Sequence, residues 1–147
     1  MTAKASARRS PEQRRASDAL RAVHQLPEDR ELRRRYRAYT DRLGPAILIN
    51  GLGQALASER AAAGTPASPR EHAHACLFRN LQAWLCGDSG VYRGGDVLAQ
   101  IVEGSEARYL QAQTEALAWL TWHKKFCRAE LPVPAISDPQ IAPEGAS

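Results

Sequence analysis

The chain has 147 residues, 44% of them hydrophobic, enough for a soluble domain with a real core. It lacks a run of about 18 apolar residues, which argues against a membrane-spanning helix, and its basic N-terminus, MTAKASARRSPEQRR, lacks the apolar stretch of a secretory signal. The net charge of +4 is unevenly spread: residues 1–42 carry 12 of the 20 Lys and Arg against 6 of the 16 acids, so the basic excess lies at one end.

Residues 1–9 are short, polar and without periodicity, the pattern of a disordered basic segment. A first helix begins at Ser10, where Ser-Pro-Glu-Gln offers an N-cap, a proline at the first helical position and a glutamine able to close a capping box. Ala16, Ala19, Leu20, Val23 and Leu26 form its apolar face, with Arg14, Arg15, Asp18 and Arg21 off it. Pro27 interrupts the pattern. A second helix over roughly 28–43 then has acids in its first turn and Leu32, Tyr36, Tyr39 and Leu43 in one row, with Arg33, Arg34, Arg37 and Asp41 on the other side.

Gly44-Pro45 predicts a break, because proline suits the first turn of a helix and not its interior. The segment from about 45 to 63 then reads as a helix apolar almost all round, with Asn50, Gln54 and Ser58 as its one polar row, so it is expected to be the buried centre of the fold. Gly51 and Gly53 inside it mark places where a neighbouring helix comes close. Ser68-Pro69 starts another helix, running to about Cys86 with Leu77, Leu81, Trp84 and Leu85 inward. Residues 87–95 are turn-rich, Asp96 caps a short helix, and Ser105 starts the longest one, to about 130, with Tyr109, Ala112, Ala116, Trp119, Leu120 and Phe126 as its stripe. Residues 131–147 hold four prolines and read as a flexible tail.

No segment alternates with period two, so the class is all-α: a bundle of about five to six helices around the central one, forming a single domain over residues 10–130. Enzyme chemistry finds little support. His72, His74 and Cys76 suggest HxHxC, yet residues two apart on a helix point about 200° from each other, so only His72 and Cys76 share a face, and the pattern reads as solvated histidines beside a small buried cysteine. Three cysteines without CxxC spacing argue against a disulfide framework or zinc site and for a reducing cytoplasm. GLG at 51–53 follows no strand and lacks the third glycine of a dinucleotide fingerprint. Cys127 with His123 four residues earlier has no orienting acid. No cofactor, metal or small-molecule substrate is implied.

What remains is basic helix surface, read either as a solvated face with acidic partners or as phosphate contact. Lys124 and Lys125 form a second basic site near the end of the last helix, where the helix dipole also favours cations. Trp122 lies off the core stripe, so it is expected to be partly exposed and available as an interface anchor.

One set of residues carries a resemblance. Tyr39, Leu43 and Pro45-Ala-Ile-Leu-Ile-Asn-Gly-Leu-Gly-Gln-Ala-Leu-Ala57, then Leu81-x-x-Trp84-Leu85, then Tyr109, Thr114 and Ala116-Leu-Ala-Trp-Leu120-x-Trp122-x-Lys124-Lys125-Phe126, resemble the small all-helical subunit of the Cmr complex, the type III-B CRISPR effector, over roughly residues 10–130. Ser58 stands where that family tends to carry an aromatic and His123 where a leucine is usual. The resemblance implies a non-catalytic, cytoplasmic scaffold. Such a protein stacks in several copies beside backbone and large Cmr subunits and helps hold the guide RNA–target RNA duplex in antiviral defence. It implies RNA-facing charge at Arg14, Arg15, Arg21, Arg33, Arg34, Arg37, Lys124 and Lys125, and a subunit contact at Trp122. A stand-alone helical nucleic-acid-binding protein and a pure protein-interaction subunit are the alternatives of other classes.

Overall fold

The computed structural model describes residues 8–134. Among these there are six helices and no strand: α1 Pro11–His24, α2 Arg30–Asn50, α3 Leu52–Ala63, α4 Pro69–Leu85, α5 Val97–Glu103 and α6 Glu106–Glu130. The expected disorder of residues 1–7 and most of the expected tail, residues 135–147, lie outside the described residues.

Local chemistry sets most helix ends. The Ser10 hydroxyl accepts from the Gln13 amide while the Gln13 side chain accepts from the Ser10 amide, completing the capping box. Asp29, Ser68, Asp96 and Ser105 cap α2, α4, α5 and α6 in the same manner, each accepting from an amide of the first turn.

The central segment differs from its expected form. Pro45 does not break the chain; α2 runs through it to Asn50, and the break falls at Gly51. Gly44 explains the tolerance, since without a Cβ it escapes the clash that a proline imposes on the residue before it. Pro45 itself is exposed, and its missing N–H leaves only the Asp41 carbonyl without a helical partner. The segment is therefore two helices rather than one buried rod. Leu48 and Ile49 stand 71% and 81% exposed, and Asn50, Gln54 and Ser58 all face outward.

Gly51 turns the corner at φ +87°, a conformation favouring glycine. Side chains from α6 cap the helix that follows: Gln113 Oε1 accepts from the Leu52 amide at 3.0 Å, and the Tyr109 hydroxyl accepts from the Gly53 amide at 3.2 Å. A Cβ at Gly51 would stand 2.8 Å from that hydroxyl, and one at Gly53 would stand 3.2 Å from Ile101 of α5, the close approaches that the two glycines foretold. Gly51→Ala combines backbone strain with loss of the Tyr109 cap and is expected to lower stability by roughly 1–3 kcal/mol. A urea midpoint unchanged from the parent protein would show that the corner relaxes freely.

The core forms between α1, α2, α4 and α6, around Tyr36, Tyr39, Leu43, Leu77, Leu81 and Trp119. At its centre lies His123, fully buried and stacked on Trp119 with ring centres 4.1 Å apart. Its Nδ1 is 2.9 Å from the Ala19 carbonyl, which can only accept, so Nδ1 carries the proton. Nε2 then accepts from the Tyr36 hydroxyl at 2.5 Å, and that hydroxyl in turn accepts from the Asn80 amide at 3.0 Å. One satisfied chain of polar groups thus ties four helices together. Burial lowers the imidazole pKa to about 4, so the ring is neutral at physiological pH. A second buried histidine corrects the solvated expectation: His74 stacks on Tyr39 and donates from Nδ1 to Glu59 at 2.5 Å, while His72 alone of that pair is exposed.

Candidate nucleic-acid interface

The basic residues of α1 project from a helix fixed against α6. The pairs Arg15–Glu115, Asp18–Trp119, Ala19–His123 and His24–Glu130 rise together along both elements, so α1 and α6 run in the same direction. This leaves one side of α1 outward. Arg9, Arg14 and Arg21 line a cleft of about 440 Å³ there, closed by Ser17, Asp18, Trp84 and Asp88. Arg14 reaches the Asp88 carbonyl, Arg9 donates to the Ser17 hydroxyl at 3.0 Å, and Arg21 pairs with Asp18. All three arginines are exposed. Arg9 belongs to the segment expected to be disordered and was not among the expected contacts; its spacing of five from Arg14 put both near the start of α1.

Arg15, Arg33, Arg34, Arg35 and Arg37 also have internal partners and are less exposed. Arg15 makes a two-point contact with Glu115 at 2.6 and 2.9 Å and also reaches Glu12 at 2.7 Å; the hydrogen bond to Glu115 is the first cause of a pKa raised above its already high value. Glu115 further accepts from the Trp84 indole at 3.1 Å, so this node is structural as well as charged. Arg33 donates to the Pro27 and Leu26 carbonyls and to Glu28, fastening the α1–α2 turn. Arg34 and Arg35 share Glu31, and Arg37 donates to the Leu131 carbonyl at 3.1 Å, holding the chain beyond α6. Each is partly covered.

Lys124 and Lys125 lie apart from this group. With Arg128 they rim a groove of about 590 Å³ between α2 and α6, whose apolar lining is Pro45, Leu48, Leu117 and Leu120. Trp122 is half-buried: its indole donates to Glu12 at 3.0 Å and its ring stacks near Phe126. The bonds to Arg15 and then Trp122 hold the Glu12 carboxyl below its usual pKa.

Buried thiols offer no ready nucleophile, because burial pushes Cys127 up to about 12 and raises Cys76 as well. No described helix is long and apolar enough to cross a membrane, and no group of three potential metal ligands occurs among the described residues. Of the expected cations, Arg14 and Arg21 on α1 and Lys125 near the end of α6 are exposed.

A family model described as CRISPR-associated protein (Cas_Cmr5) matches residues 11–130, from the first residue of α1 to the last of α6. The match covers most of the chain, including the Gly51 corner, the Trp119–His123 core, Arg14 and Arg21 of the cleft, and Lys124 and Lys125. The chain belongs to the Cas_Cmr5 family and is a subunit of the Cmr complex of CRISPR defence.

Proposed function

We propose that the protein is a non-catalytic scaffold subunit that stacks in several copies with the backbone and large Cmr subunits and helps hold the guide RNA–target RNA duplex in the cytoplasm. The observation that carries this is the α1 cleft, where Arg14 and Arg21 remain exposed on a helix fixed against α6 and Arg9 stands just before it. Guanidinium groups on a rigid helix suit the bidentate geometry of phosphate oxygens. Of the expected contacts, Arg14 and Arg21 carry the direct share. Lys124 and Lys125 add a second site when the outer face of α6 is free. Arg15, Arg33, Arg34 and Arg37, each half-buried as well as engaged internally, contribute field rather than contact, and Trp122 with its Glu12 partner offers a subunit-facing aromatic.

The test is target-RNA retention by the assembled complex. Arg9→Gln with Arg14→Gln is expected to weaken retention about tenfold or more and to flatten its salt dependence by roughly 0.7–0.9 per lost contact. Arg33→Gln is expected to leave that slope unchanged. Equal retention by the parent and double variants at every salt concentration would remove α1 from the RNA path, and tight RNA binding by the isolated chain would favour a stand-alone binder.

A further inference from the structure

The groove between α2 and α6 has a cationic end and an apolar end. Toward the last turn of α6, Asp41 is paired with Arg128 at 3.3 Å, and as it is the acid of the groove wall, Lys124 and Lys125 find no partner there. Farther back come Leu120, Leu117 and the exposed Leu48. The lining is suited to being covered. Thr121 donates its hydroxyl to the Leu117 carbonyl at 2.9 Å, so an occupant strands no donor there. The Asp41 carbonyl, left without a helical partner by Pro45, is free to accept from an occupant's N–H. Gly44 has open space where a side chain would stand.

The chain supplies a segment of matching chemistry beside this groove. Leu131, held by Arg37, lies just beyond the groove residue Arg128. Residues 135–147 lie outside the described residues, and their sequence, AISDPQIAPEGAS, has the acids Asp138 and Glu144 and no Lys, Arg or His. Read outward from Leu131, Asp138 precedes Ile141; read backward along α6, Lys124 precedes Leu120 and Leu117. The lengths agree as well. Lys124 stands about 10 Å back along α6 from Leu131, and the chain from Leu131 to Asp138 spans up to about 23 Å, enough to include a reversal. Leu117 stands about 21 Å back, and Ile141 can reach up to about 33 Å.

We propose that the segment Asp138–Ile141 of the same chain returns along α6 and occupies this groove. The Asp138 carboxylate meets Lys124 and Lys125, and the Ile141 side chain covers Leu48, Leu117 and Leu120. Weak contacts suffice. A segment joined to its own seat is present at an effective concentration on the order of 1 mM, so a Kd of about 0.1 mM fills the groove about nine-tenths of the time. The contact shuts the second basic site in the free chain, and whatever binds Lys124 and Lys125 must first displace the segment. That consequence rests on the scaffold reading; the contact itself involves neither RNA nor another subunit.

Carbodiimide cross-linking of the full-length chain, without RNA, tests the contact. The reagent takes up the water released as a lysine amine and a carboxylate form an amide, so it joins only groups that touch. Lys4, Lys124 and Lys125 are the lysines of the chain, which keeps the products few. Mass spectrometry of the parent is expected to show Asp138 joined to Lys124 or Lys125, and a mixture of isotope-labelled and unlabelled protein is expected to show each bond within one chain. Ile141→Asn and Leu48→Asn keep every lysine and acid, and each should lower the yield about tenfold by removing an apolar contact. Circular dichroism checks the fold; should Leu48→Asn lose helix, Ile141→Asn, beyond the last helix, carries the test. Three results would overturn the proposal: a yield that neither replacement changes, bonds between labelled and unlabelled chains, or no bond from Asp138 to either lysine. The first leaves mere tethering, the second gives the groove to another copy's segment and the third to a different partner. RNA retention by the assembled complex stands or falls by its own measurement.

Discussion

With Trp119 replaced by alanine, the unfolding free energy is expected to fall by roughly 3–5 kcal/mol. The indole is fully buried, stacks on His123 and donates to Asp18 at 2.9 Å, so its removal opens a cavity and takes a hydrogen bond from an acid that is itself buried. Against a total stability of about 5–15 kcal/mol for an ordinary domain, this is a large fraction. The melting temperature should drop by on the order of 10–20 °C. Trp119→Phe separates the two contributions, since it keeps a ring but gives up the N–H, and about 1–3 kcal/mol should be lost with the bond. A Trp119→Ala protein melting within a degree or two of the parent would mean that the ring is not what joins α1 to α6.

The second large effect is acid sensitivity. His123 has a pKa of about 4 in the folded protein, against an ordinary value of 6.5 for an imidazole in water. Between these values the unfolded chain takes up a proton that the folded chain refuses. Stability is therefore complete above about pH 6.5, declines as the pH falls, and reaches its full loss near pH 4, at roughly 3 kcal/mol. The carboxyls of Glu12, Glu71 and Asp96 are held below their usual values, so their contributions disappear only at lower pH, below about 4.5. His123→Leu provides the control. It is expected to be less stable at neutral pH by roughly 1–3 kcal/mol, because the Ala19 carbonyl and the Tyr36 hydroxyl lose a partner. It should also show a flatter slope between pH 6.5 and 4.5. Parallel slopes for the two proteins would assign the acid limb to another group.

Helix starts were legible because capping is a local affair: Ser10-Pro11 and Ser68-Pro69 announce themselves within four residues. The resemblance over roughly residues 10–130 agrees with the family match over 11–130. The central helix was misjudged because proline and glycine compete as breakers, and Pro45 followed a residue without a Cβ while Gly51 faced a cap supplied from α6. The internal partners of several arginines were not legible because they are distant in sequence. Glu115 stands 100 positions from Arg15, and Leu131 stands 94 from Arg37, beyond any helical spacing rule. His123 could have been found, since it falls on the stripe of Ala112, Ala116, Trp119 and Cys127; its polarity drew attention away from its position.

The parallel run of α1 beside α6 also sets the order in which the chain can assemble. Helices α2, α3 and α4 meet near neighbours and can associate as soon as they are made, whereas the partner of α1 lies about 100 residues further along the chain. Until α6 is made, α1 lacks the helix it chiefly packs against, and its docking there must close a loop of about 100 residues. Trp119 and His123 can come between α1 and α2 only once α6 has been made, and α6 then holds the helix that carries the basic cleft. A nascent chain stopped before α6 would carry the α1 cations on an undocked segment, so the geometry of the cleft forms only after α6 is made.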